Sequence, residues 1–88
     1  MNAEALDLAR SILSAGCARN VRISLVTVRA MLADFTPAFQ DRALVQLQRE
    51  GFLVLYRNDN PRSLTAADHA AALTVGDSPR HMVYLAGR

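Results

Sequence analysis

Four polar residues, Gln40, Arg42, Gln46 and Arg49, are the side chains of this 88-residue chain best equipped to read another molecule. Arginine presents a planar fork that can give two hydrogen bonds to guanine O6 and N7, and glutamine can do the same with adenine N6 and N7. Phe39, Ala43, Leu44 and Leu47 recur among them at helical spacing, so the polar four fall on the free side of a helix whose other side packs. A plain solvated helix face would carry the same residue types, and the sequence leaves both readings open. Asp41 argues against an anionic ligand there, because a carboxylate beside phosphates is repelled. That objection falls if Asp41 serves the helix N-terminus or pairs with a neighbouring arginine.

A second basic set, Arg57, Arg62 and Arg80, flanks a turn-rich stretch, where it can neutralise phosphates without reading sequence. Local pairing with Asp59, Asp68 or Asp77 is the competing expectation. Other chemistry finds little support. His69 and His81 have no partner at metal-ligand spacing, and Cys17 cannot complete a zinc site alone, so no metal and no cofactor are expected. Serines and aspartates are scattered with no nucleophile–base spacing, and no glycine-rich phosphate loop occurs, so enzyme activity is not expected either.

Composition bounds the class. The ten basic residues are all arginine against eight acids, a net charge of +2 that permits a phosphate-binding face without demanding one. An arginine-only, alanine-rich chain also reads as coding from a GC-rich, bacterial type of genome. With 51% hydrophobic but only 6% aromatic residues, the core must be built from Leu, Val, Ile and Ala, as in helices packed on a small sheet. A single cysteine permits no internal disulfide and suits a reducing cytoplasm. The start, Met1-Asn2-Ala3-Glu4, has neither a basic leader nor an apolar run, so no signal or membrane span is expected and a cytoplasmic location is.

The elements that must hold these residues follow from spacing and caps. Residues 1–88 read as one domain. A first helix spans Ala3 to Ala15, with Leu6, Leu8, Ala9, Ile12 and Leu13 inward and Gly16 as its stop. Val21-Arg22-Ile23 makes a stub of strand. Ser24 caps a second helix from Leu25 to Asp34, although Val26, Thr27 and Val28 read almost as well as strand. Thr36 and Pro37 open a third helix running to Glu50, and Gly51 closes it. Phe52 to Tyr56 is a strand, Thr65-Ala66-Ala67-Asp68 a capping box opening a short helix, and Gly76-Asp77-Ser78-Pro79 a break. His81 to Ala86 is a last strand, pairing antiparallel with Phe52 to Tyr56 and burying Val83 and Leu85 or their neighbours.

The order helix, strand, helix, helix, strand, helical insert, strand, with Leu44, Leu47 and Gly51 leading into an apolar strand, resembles the winged helix-turn-helix superfamily. The resemblance covers nearly the whole chain in topology and implies an α+β fold: a three-helix core, a small antiparallel sheet, and a short helical insert in the wing. It implies a DNA-binding module, a small transcriptional regulator or accessory protein, with helix 37–50 entering a major groove N-terminal half first. Gln40, Arg42, Gln46 and Arg49 would then face double-stranded DNA, and Arg57, Arg62 and Arg80 would lie near the wing. A dimer is expected, because one small module gives a limited interface. The departure is the wing, where Asn58 to Pro79 stands in place of a simple hairpin tip. The competing expectation is a winged helix that contacts a protein or a second copy of itself and binds no DNA.

Overall fold

Asn2 starts the first helix, its Oδ1 accepting the N–H groups of Glu4 and Ala5 at 2.8 and 3.2 Å. The structure, a computed structural model, describes residues 2–86. Helix α1 (Ala3–Gly16) buries Ala9 and Leu13. Strand β1 is only Ile23–Ser24, displaced toward the next helix from the expected Val21-Arg22-Ile23. Ser24 is also the cap of α2 (Leu25–Met31), accepting from Thr27 N–H. That cap and the burial of Leu25 and Val28 on one face decide the ambiguous β-branched stretch in favour of helix.

Helix α3 (Pro37–Arg49) begins as its sequence requires: Thr36 accepts from Phe39 N–H at 3.2 Å, and Pro37 occupies the first turn. Gly51, at φ +77°, ends it. The N–H of Phe52 reaches the carbonyl of Leu47 and that of Gly51 the carbonyl of Gln48, the paired closure that a left-handed residue allows. Ala43, Leu44 and Leu47 face inward, while Phe39 is half-buried and stacks on Phe35.

Three strands form one antiparallel sheet in the order β1, β5 (Met82–Leu85), β2 (Leu53–Tyr56). Leu53 pairs with Leu85 and Leu55 with Val83, and these four side chains meet the helices in a core that includes Leu13, Leu25, Leu32, Leu44 and Leu47. Val54, Tyr56, Met82 and Tyr84 alternate onto the other face and stay half-buried. The N–H groups of His81 and Ala86, on either side of β5, reach the carbonyls of Tyr56 and Phe52, and the peptide groups of Leu55 turn to the open edge. Side chains close that edge: Gln48 Oε1 accepts Leu55 N–H at 2.7 Å, and Arg80 Nη1 donates to Leu55 O at 3.0 Å. Gln48→Leu is expected to cost about 1–3 kcal/mol, because it leaves a part-buried N–H unmade. Urea denaturation would read this as a lower midpoint at unchanged slope.

The chain between β2 and β5 contains more than the expected short helix followed by a break. It leaves the sheet at Arg57 and passes through a 3₁₀ turn (Pro61–Ser63) and helix α4 (Ala66–Ala71). It returns as a true hairpin, β3 (Leu73–Val75) and β4 (Ser78–Arg80). The expected break at Gly76-Asp77-Ser78-Pro79 is its turn and second strand. Gly76, at φ +62°, takes the first turn position, and Asp77 does not share the positive φ, the glycine-first arrangement that suits a two-residue hairpin. Pro79 faces Thr74 next to the hairpin's closing pair Val75 and Ser78, at a position that need not donate to the ladder.

The excursion is built into the core rather than hung from it. Ala71 and Leu73 join the buried cluster. Thr65 and Asp68 satisfy each other as a capping box, and the N–H and hydroxyl of Thr65 hold the Asp68 carboxyl below its usual range. His81, expected only to start a strand, is buried and accepts Asn58 N–H on Nδ1 at 3.3 Å. That bond ties the start of the excursion to the start of β5. Among the described residues no helix is long and apolar enough to cross a membrane.

Candidate nucleic-acid interface

The outward stripe of α3 is Arg42, Val45, Gln46 and Arg49, at helix spacings of three and four. Arg42 and Arg49 are exposed and make no hydrogen bond or ion pair with the other described residues. Gln46 is half-buried and donates to Glu50 at 3.1 Å, one turn on, while Glu50 also accepts from Arg10 of α1 at 2.6 Å. Beside this stripe runs β3, and a groove of about 420 Å³ lies between them, lined by Asp41, Arg42, Val45, Gln46 and Arg49 of α3 and by Leu73 and Thr74.

Gln40 does not lie on that stripe. It is 5% exposed, and its amide donates to the carbonyls of Leu32 and Phe35 at 2.9 and 3.0 Å. The expectation that it reads bases is thereby corrected: its amide stitches the end of α2 and the following turn to α3. The sequence hides this because glutamine is polar on either side of a helix, and the free carbonyls it meets belong to the preceding turn.

Arg29, not singled out from sequence, is the hub of this region. Its Nη1 donates to Gln40 Oε1 at 3.0 Å, its Nη2 to Asp41 Oδ1 at 2.7 Å, and its Nε to the carbonyl of Ala71 at 2.8 Å. One guanidinium thus joins α2, the first turn of α3 and the end of α4. It also answers the objection raised by Asp41, whose charge is paired within the fold. The cue was an arginine next to Val28 and four residues after Leu25, at the edge of a buried stripe; nothing in the sequence supplied its partners.

The second basic set separates into three situations. Arg57 is exposed and pairs with Asp59 at 3.6 Å, as the competing expectation had it. With both side chains more than half in water, that pair contributes little. Arg62 is exposed in the 3₁₀ turn. Arg80 is half-buried, bound to Leu55 O, with its Nε enclosed and unpartnered, so it closes the sheet edge instead of facing a phosphate. Cys17 is half-buried beside Met31, and burial pushes its thiol pKa up, the opposite of an activated nucleophile. Among the described residues no cluster of histidine, cysteine or carboxylate side chains could hold a metal ion.

No protein-family model, no curated protein and no solved structure matches the chain.

Proposed function

We propose that this α+β domain is a duplex-DNA-binding module of the winged helix-turn-helix kind, a small regulator or accessory protein. In this reading α3 enters a major groove and offers Arg42, Gln46 and Arg49. The observation that carries the reading is the charge on the outer side of α3: two exposed arginines seven residues apart, with the adjacent acid, Asp41, neutralised by Arg29. The topology supports it. The element order helix–strand–helix–helix–strand, with the last strand antiparallel to β2, agrees with what the resemblance implies, and in this reading the β3–β4 hairpin serves as the wing beside α3. Because Gln40 is buried, contact shifts from the first turn of α3 to its middle and end.

The test is anisotropy of a labelled mixed-sequence duplex with single variants. Arg42→Ala and Arg49→Ala are each expected to weaken binding about tenfold or more, the loss of one good arginine contact. Gln40→Ala is expected to leave the affinity of the folded protein unchanged while lowering its melting temperature. Two observations favour the alternative, a winged helix docked on a protein: Asp77 at the hairpin tip would meet phosphates with the wrong sign, and Leu8 and Val21 are about half exposed. Under that alternative all these variants would leave duplex binding equally negligible.

A further inference from the structure

The sheet face turned away from the helices carries a second arrangement that the duplex reading does not use. Tyr56 and Tyr84 lie side by side on it, ring centroids 5.7 Å apart and tilted by 54°. The guanidinium of Arg22, exposed just ahead of β1, lies over the Tyr56 ring, 5.7 Å from its centroid. Arg22, Tyr56, Arg57, Asp59 and Met82 are among the residues lining a hollow of about 350 Å³, and Tyr84 lies beside it, next to Tyr56. The Tyr56 hydroxyl is enclosed there without a hydrogen-bond partner.

The charges over this hollow are two arginines against one acid, Asp59, whose contact with Arg57 is long and solvated. Tyr56 under the Arg22 guanidinium, with Tyr84 next to the hollow, supplies stacking surfaces, and the arginines supply phosphate contacts. That alternation is how single strands are held without sequence preference. A double helix cannot use it, because its bases are already stacked on one another. An extended peptide is disfavoured for a separate reason: Gln48 and Arg80 occupy the edge groups of β2 that such a strand would pair with.

We infer that the outer sheet face is a single-stranded nucleic-acid site, with bases stacking on Tyr84 and on Arg22 over Tyr56, and phosphates meeting Arg22 and Arg57. The site is separate from the α3 surface and stands or falls independently of the duplex reading.

The chain contains two tyrosines and no tryptophan, so its intrinsic fluorescence reports this face alone. Titration with an oligo(dT) of about twelve nucleotides is expected to quench that emission at low salt. With labelled oligo(dT), Tyr84→Ala and Arg22→Ala should each weaken binding about tenfold or more. Tyr84→Phe, which keeps the ring, should bind as wild type, and so should the Arg42→Ala/Arg49→Ala double variant. Thermal melts confirm that each variant is folded. The inference is overturned if oligo(dT) fails to bind at low salt, or if it binds without quenching. It is equally overturned if Arg42 and Arg49 rather than Tyr84 and Arg22 control that binding, or if the quench arises from Tyr84-dependent self-association.

Discussion

Arg29→Met is expected to lower the unfolding free energy by about 2–4 kcal/mol, seen as a reduced urea midpoint. Methionine keeps most of the apolar stem, so the loss isolates the guanidinium. The acceptors left behind are Gln40 Oε1, 5% exposed as a residue, and the Ala71 carbonyl at the end of α4. An abandoned buried acceptor costs about 1–3 kcal/mol, and two of them dominate the sum. Asp41, with its side chain 46% exposed, regains water and adds little. In a domain of this size each 1 kcal/mol is worth roughly 4–8 °C of melting temperature, so the variant should be visibly less stable at 37 °C. A shift within about 0.5 kcal/mol would match an ordinary surface change and would mean that the three-element junction is not structural.

Leu47→Ala should cost more, about 3–5 kcal/mol, because Leu47 is fully buried where α3 meets the sheet. Deleting its branched end removes the transfer energy of those carbons and leaves a cavity that rigid neighbours, among them Leu44 and Leu53, close only in part. The same helix therefore yields two separable results. On the duplex reading, Leu47→Ala should lower stability while leaving the affinity of the folded fraction unchanged. Arg42→Ala should lower affinity while the melting temperature stays within a few degrees. Calorimetry and anisotropy on the two variants would show whether packing and contact divide along the faces of α3.

The helices and the main sheet could be read from the sequence because their signals are local. Thr36-Pro37 and Gly51 mark the limits of α3, Ser24 caps α2, and the 65–68 box opens α4, each through hydrogen bonds within a few residues. The pairing of β2 with β5 followed from their alternation. What stayed hidden depends on contacts between distant segments. A glycine–aspartate pair ahead of a proline signals a turn equally well in a loop and in a hairpin, and only the partner strand Leu73–Val75 tells them apart. Gln40 and Arg80 looked like contact residues because polar side chains are mostly exposed, yet each satisfies a backbone group that folding would otherwise strand. The outward position of Arg42 and Arg49 is legible in the sequence because the core stripe of Ala43, Leu44 and Leu47 fixes the opposite side of the helix.

That outward pair carries the central claim, and the most direct test is the salt dependence of duplex binding by wild type and by Arg42→Ala/Arg49→Ala. If α3 meets DNA, the wild-type association constant should fall steeply as salt rises. The double variant should bind at least tenfold more weakly at low salt, with a shallower log–log slope, because two cations leave the surface that faces the DNA. Identical curves for the two folded proteins, or no wild-type binding at low salt, would contradict the assignment of α3 as a DNA-contacting helix.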